Sequence, residues 1–467
     1  MQKRPRLGKR IGCCLLLPAL ACALLPFSTV RLARASPSAG NEDPLNIVLI
    51  VGDDHAWNHA GFLGHEIALT PNLDRIAQEG TVFRNAHNPA SSCVPSLRTL
   101  LSGLHPLQWE ARRAALEEEH GPLPRRTEVR FIPTLPRLLA LRGYASFQGG
   151  KMWEGTWQQA GFSAGMATTI GTLFETVGQE FGRTGIDAFR EFLDTTGPEP
   201  FFAWLAPMLP HTPHDAGPEF REPFENRGLA EEAIGYFANL LRLDFVVGEI
   251  VAELAGRELL DRTLLVYLSD NGWEIGQRFG VPGKGKTSLY ETGVRTMLIF
   301  RLPGTVTAGV LRDDLVSTED VVPTLLESAG LRPPRNLPGR SLRAGLVTPA
   351  PVGRSHIVSE QIGTRHAPGG RWIRTPTWRY VHATNRDEEL YAIGEDPGET
   401  RNLASEFPEL LRWFRATHAL WRQDLERHRT RSVACRQASR GARQCARPNR
   451  APAALTREAE GTGTTWR

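Results

Sequence analysis

Three short polar clusters are the first candidates for chemistry in this 467-residue chain, because each follows an apolar run. Asp53-Asp54-His55 follows residues 45–51, His211 and His214 follow residues 201–206, and Asp270-Asn271-Gly272 follows residues 263–268. Adjacent carboxylates at the end of a buried strand repel one another unless a cation lies between them. Asp53, Asp54, Asp270 and Asn271 make an all-oxygen donor set, which suits Ca2+ or Mg2+ better than zinc. A fourth candidate is Cys93, the only cysteine in the body of the chain. Pro95 suits the first turn of a helix, Leu97, Leu100 and Leu101 follow at helical spacing, and Gly103 can close it. A thiol at a helix N-terminus feels the positive end of the dipole, which favours bound anions and activated nucleophiles. The plainer alternatives are a buried cysteine under a helix cap and, for Asp-Asn-Gly, an ordinary turn.

The elements that must position these groups follow from periodicity. Residues 45–51, 201–206, 263–268 and 297–300 are continuous apolar runs, as expected of strands buried on both faces. Helices are predicted over 70–80, 133–143, 186–194 and 231–259, and a short strand over 144–147 enters Gly149-Gly150-Lys151. This β/α alternation predicts a large, mainly parallel, doubly wound sheet flanked by helices. The three clusters would then share the carboxyl edge of the sheet, where open α/β folds bind ligands. After Pro349 the texture turns Pro-, Gly- and Arg-rich. Strand candidates at 356–359 and 378–382 and a helix over 406–426 predict a smaller C-terminal α+β subdomain.

The two ends read differently from the body. Residues 1–35 combine seven Lys/Arg with an apolar run and an Ala-Arg-Ala cleavage site, the pattern of an export signal, with an uncleaved anchor as the alternative. Residues 427–467 carry ten Arg against two acids and few apolar side chains, predicting a disordered tail. The formal charge of +4 therefore hides a body with 38 basic and 49 acidic residues, which is not a nucleic-acid-binding balance. Cys435 and Cys445 are a candidate disulfide in an oxidising compartment, leaving Cys93 unpaired. The expected organisation is a signal at 1–35, a catalytic domain at 36–350, the subdomain at 351–426 and the tail at 427–467. The expected location is secreted or periplasmic, with no stable membrane span after cleavage.

Several segments in order resemble the sulfatases of the alkaline phosphatase superfamily, from about residue 45 to 403. They are Asn46 to Asp54, Thr70-Pro71-Asn72-Leu73-Asp74-Arg75, Cys93-Val94-Pro95-Ser96, Ser269-Asp270-Asn271-Gly272, Lys286 with Tyr290 to Arg295, and Asp396 to Leu403. The resemblance implies an alkaline phosphatase-like fold and hydrolysis of a sulfated sugar or small sulfate ester. It implies that a formylglycine-generating enzyme oxidises Cys93 to formylglycine, whose hydrate is the nucleophile. It further implies a divalent cation held by Asp53, Asp54, Asp270 and Asn271, with Cys93 beside them. Lys151 and Lys286 would neutralise the sulfate oxygens, and His211 would hydrogen-bond the sulfate or protonate the leaving oxygen. Two positions depart from the family pattern. Leu97 stands where the family has arginine, with Arg98 one residue later and about 100° round the helix. Trp153 stands where the family has a histidine beside the nucleophile. Exchanging residues 97 and 98 is expected to restore the spacing. The rival functions are a phosphomonoesterase or phosphodiesterase, and a weakened protein that binds sulfated glycans without turnover.

Overall fold

The strand β1 (Asn46–Gly52) is buried at all seven positions, and its alternate residues feed two different cores. Ile47, Leu49 and Val51 join one apolar cluster, while Val48 and Ile50 join another. Successive side chains of a strand point to opposite faces, so a strand covered on both sides must be apolar throughout. The computed structural model describes residues 44–124, 126–166, 180–275, 284–364, 368–384 and 386–438, with side chains as far as 427.

Seven further strands complete the large sheet: β2 (Thr81–His87), β3 (Ala145–Gly150), β4 (Ala164–Gly165), β5 (Phe201–Ala206), β6 (Thr263–Ser269), β7 (Arg295–Arg301) and β8 (Val310–Ser317). Their order is β4-β3-β5-β1-β6-β7-β2-β8. β1 is parallel to both β5 and β6, and β3 is parallel to β5. β7 is antiparallel to β6 and β2, making the sheet mixed. One face is covered by α1 (Pro71–Gln78), α5 (Asp187–Thr195) and α6 (Glu231–Gly256), through residues such as Leu73, Phe189 and Leu243. The other is covered by α2 (Cys93–Ser102), α3 (Pro106–His120), α4 (Leu135–Ala140) and α7 (Val321–Ser328).

A second, antiparallel sheet, β12-β11-β10-β9, is built from β9 (Ile357–Gln361), β10 (Gly370–Arg374), β11 (Trp378–Ala383) and β12 (Glu389–Ala392). The last helix, α8 (Pro408–Ala438), packs Leu411 and Phe414 on it.

The mainly parallel sheet flanked by helices and the α+β subdomain are as expected from the sequence, and three differences stand out. β2 and β8 lack the apolar continuity of the central strands: β2 carries Arg84 and Asn85 at a register shift, and β8 carries three charged residues. α3 buries only Pro106, Trp109 and Leu116, too few to write a helical stripe. α8 continues past residue 426 to Ala438. The expected export signal and Cys445 lie outside the described residues, as does the Cys435 side chain.

Candidate functional site

The three polar clusters meet because β5, β1 and β6 are neighbours at the centre of the sheet. Their carboxyl ends are tied together beyond the strands. The Asp53 amide donates to the Leu209 carbonyl at 2.9 Å, and the Asp270 amide to that of Gly52 at 3.0 Å. β3, on the far side of β5, brings in Lys151, whose amide donates to the Ala206 carbonyl at 2.8 Å. Gly150 allows that approach, since at φ 80° an added Cβ would stand 2.3 Å from the Ala206 oxygen. Cys93 arrives from the opposite direction, as the first residue of α2. Gly103 closes this helix at φ 73°, its amide donating to the Thr99 carbonyl.

The charges are almost wholly buried. Lys151 Nζ lies 2.6 Å from Asp53 Oδ2 and 3.5 Å from Asp270 Oδ2. Lys286 Nζ lies 2.6 Å from Asp54 Oδ1, which also accepts from Asn271 Nδ2 at 2.7 Å. His211 Nε2 stands 3.7 Å from Asp54 Oδ2. Cys93, Asp53 and Asp270 offer atoms within 4.8 Å of one another, and so do Asp53, Asp54 and His211. The structure thus gathers Asp53, Asp54, Cys93, Lys151, His211, Asp270, Asn271 and Lys286 at one place. His214 turns away, its ring edge-on to Tyr236.

Burial works against every charge here. It would raise the Asp53 carboxyl, yet Lys151, His211 and Lys286 hold that group well below its ordinary value. Burial and the Asp53 charge push Asp270 upward. Burial disfavours both ammonium groups, but the carboxylates keep Lys151 and Lys286 above the usual lysine range. Desolvation raises the Cys93 thiol, which the two lysines only partly offset.

Three buried oxygens, Asp53 Oδ1, Asp270 Oδ1 and Asn271 Oδ1, have no hydrogen-bond partner among the described residues. Leaving such acceptors buried and unpaired is costly. Three carboxylates against two ammonium groups also leave the cluster net negative. Hard oxygen donors with an unbalanced negative charge fit a divalent cation. Asp54, Trp153 and Thr287, non-glycine residues with φ of 68°, 67° and 71°, all flank this centre. Such strain persists only where surrounding structure enforces it.

The two departures from the family pattern share one flank. Leu97 is 1% exposed in the apolar cluster against which Cys93 and Trp153 pack. Trp153 lies under the Lys151 ammonium, 5.6 Å from it, and its indole nitrogen is buried without a partner among the described residues. Arg98 points elsewhere and pairs with Glu154, Glu128 and Glu110. Exchanging residues 97 and 98 would therefore set a guanidinium among apolar side chains and strip Glu128 and Glu154 of their cation. That corrects the expectation of a simple repair.

Sequence reasoning missed the support behind Cys93. Ser91 donates through its amide and hydroxyl to Gln361 Oε1, at 3.2 and 3.0 Å, and its carbonyl accepts from Thr287. Ser359 Oγ donates to the Pro89 carbonyl at 2.5 Å. Both partners sit on β9, so the second sheet braces the loop that leads into Cys93. Nothing in a strand's alternation distinguishes such residues from ordinary inward-facing polar ones.

The fold is that of the solved structure of Ps i-CgsB in complex with k-i-k-neocarrahexaose, with a TM-score of 0.68 at 23% identity over 82% of this chain and 93% of that one. It is also that of phosphonate monoester hydrolase of Agrobacterium radiobacter, with a TM-score of 0.62 at 18% identity over 83% and 96%. The chain belongs to the sulfatase family. The family model Sulfatase matches residues 45–331, and N-sulphoglucosamine sulphohydrolase, C-terminal, matches residues 284–412. Arylsulfatase A of Homo sapiens is 29% identical over 339 residues, spanning 62% of this chain and 64% of that relative's own length. No helix among the described residues is long and apolar enough to cross a membrane.

Proposed function

We propose that this protein is an exported sulfatase that hydrolyses the sulfate ester of a sugar or small molecule at the Cys93 centre. The observation that carries this reading is the convergence of three unpartnered oxygens, Asp53 Oδ1, Asp270 Oδ1 and Asn271 Oδ1, with two buried lysines and Cys93. Asp53, Asp54, Asp270 and Asn271 would hold Ca2+ or Mg2+, with Cys93 beside it, and the cation would supply positive charge for a substrate oxygen. If a maturation enzyme oxidises Cys93 to formylglycine, its hydrate supplies one hydroxyl nucleophile and a second hydroxyl that can help release sulfate.

The chain's own residues do the rest. Lys151 and Lys286, each only 4% exposed, are fixed cations that need no rearrangement when an anionic ester enters. The dipole of α2 adds positive potential at the nucleophile. His211 can contact a sulfate oxygen or protonate the departing alcohol oxygen. Trp153 can neither accept nor transfer a proton, which leaves that contact to His211, whose Nε2 stands 3.7 Å from Asp54 Oδ2. A carbohydrate is the favoured substrate class, because the match to the C-terminal region of N-sulphoglucosamine sulphohydrolase extends over the second sheet.

Turnover of 4-nitrophenyl sulfate against 4-nitrophenyl phosphate, before and after chelation, tests the reading. Sulfate release that is lost with EDTA and restored by Ca2+ or Mg2+ is expected. Faster phosphate release would favour a phosphoester hydrolase instead, a reading supported by the shared fold of phosphonate monoester hydrolase.

A further inference from the structure

His211 sits on a stretch that has no ladder of its own. Between Ala206 and Pro218 the chain crosses the carboxyl edge of the sheet without helix or strand, so its backbone groups must find partners elsewhere. Two side chains supply them, and neither belongs to the catalytic cluster. Asn239 is fully buried on α6. Its Oδ1 accepts from the Ala216 amide at 3.0 Å, and its Nδ2 lies 2.9 Å from the Pro213 carbonyl and 3.4 Å from those of Pro210 and His211. All these side-chain bonds go to the one loop. From the other side, Arg183 Nη2 donates to the Met208 and His211 carbonyls, each at 2.9 Å, and Nη1 donates to Pro213 at 3.2 Å. Arg183 also pairs with Asp215, which Arg242 shares. Carbonyls 211 and 213 are thus gripped from two directions, with 208 held by Arg183 and 210 by Asn239.

The grip reaches the imidazole. His211 Nδ1 lies 2.6 Å from the Thr212 carbonyl, which can only accept, so Nδ1 carries a hydrogen and Nε2 is the atom facing Asp54. The ring's aim is therefore set by the backbone of residues 211–213, the stretch that Asn239 and Arg183 hold. Resting on the sulfatase reading above, we propose that Asn239 and Arg183 are positioning residues that aim His211 Nε2 at the bound sulfate group. A polar side chain buried in α6 among Tyr236, Leu240 and Leu243 would otherwise be a pure cost.

A double-mutant cycle on the full, matured chain tests this. Asn239→Ala, Arg183→Lys and His211→Ala are made singly, and each of the first two is combined with the third. Two quantities are read, kcat/KM for 4-nitrophenyl sulfate and the Kd of inorganic sulfate for the metal-loaded protein. Asn239→Ala is expected to lower kcat/KM by about tenfold or more, since small misplacements of a reacting group cost on this scale. In the His211→Ala background the same change should cost less than about twofold, the sign of residues acting as one unit. Arg183→Lys keeps the charge but loses the fork of donors, and should show the same pattern if Asn239→Ala fails to fold. Equal losses in both backgrounds would mean a merely structural role and would overturn the proposal. If the parent protein releases no sulfate, the functional reading fails by itself, and the cycle in sulfate affinity then decides the positioning role by the same criterion.

Discussion

Among the clusters of buried charge in the described residues, two are built in opposite ways. At the carboxyl edge of the large sheet, three aspartates face two lysines, and Asp53 Oδ1 and Asp270 Oδ1 have no partner among the described residues. Between the two sheets, Glu291 and Glu399 face Arg374 and Arg379, with buried His87 alongside. The second cluster answers its carboxylates with guanidinium groups: Arg379 alone reaches both, at 2.8 and 3.2 Å, and Arg295 stands 3.5 Å from Glu291 beside Arg374. Glu291 is held well below the ordinary range; burial opposes this, but His87 and Arg379 outweigh it. Motif residues feed both places, since Glu291 belongs to the segment Tyr290 to Arg295. Charge burial alone therefore does not mark a site. Unpartnered oxygens alone do not either, since Glu291 Oε2 and Glu399 Oε1 share that state; an excess of carboxylates over cations beside them does.

Removing the acids should break that contrast most visibly. Asp53→Ala combined with Asp270→Ala should abolish bound metal in elemental analysis and lower sulfate-ester turnover by roughly a thousandfold or more. Thermal stability should fall as well, because the buried Lys151 ammonium loses both carboxylates it pairs with. Unchanged metal content would sink the ligand assignment. Glu291→Ala should cost stability without touching the metal. It leaves Arg379 and Arg374 without their main counter-charge and should cost about 3–5 kcal/mol in chemical denaturation. Any protein that folds should still bind metal stoichiometrically.

Acid should separate the clusters more gently. Burial lowers His87 to about 4 and His105 to about 3, against 6.5 for an unperturbed histidine. The folded values lie below the unfolded one, so the stability linked to neutral rings is present above pH 6.5 and is lost as pH falls towards 4. The slope should be roughly 1.4 kcal/mol per pH unit for each ring. Denaturation midpoints measured between pH 7.5 and 5 should fall accordingly, and His87→Gln should remove about a quarter of the slope, since burial also lowers His55 to about 4 and His59 to about 3. A flat profile would mean that these rings do not titrate with unfolding.

The smallest effect belongs to the C-terminal end. α8 contacts the second sheet through Leu411, Phe414 and His418, the last 2.9 Å from Glu360. A chain ending at Glu426 keeps all three and should lose less than about 0.5 kcal/mol and none of its activity. A larger loss would place later residues in the packing.

The two clusters were not equally readable in the sequence. Asp53, Asp54, Asp270 and Asn271 announce themselves because carboxylates directly after wholly apolar runs violate the ordinary cost of burial. Lys151 and Lys286 needed the family resemblance, since a lysine after glycines reads equally well as a solvated amine, whereas His211 showed in its cluster and took only its role from the resemblance. The arginine-rich cluster left no such mark: Arg374 and Arg379 are spaced like any residues on antiparallel strands, and only pairing of β10 with β11 brings them together. The same is true of Gln361, Ser359 and Asn239, whose partners lie 26 to 270 residues away or nearer in loops without periodicity. β2 and β8 escaped because charged side chains interrupt their apolar pattern. Tertiary pairing, not local preference, makes them strands.

The central claim rests on what Cys93 becomes. Its flank is apolar, with Leu97 and Trp153 in the same packed cluster where the family pattern has polar side chains, and its thiol is raised by desolvation. An unconverted thiol offers no second hydroxyl with which to release sulfate. Mass spectrometry of the peptide spanning Cys93, from protein made in its own host and assayed in parallel on 4-nitrophenyl sulfate, addresses this directly. The account predicts formylglycine at position 93 in the active fraction, with turnover proportional to the converted share and eliminated by Cys93→Ala. An unmodified Cys93 in fully active protein would contradict it.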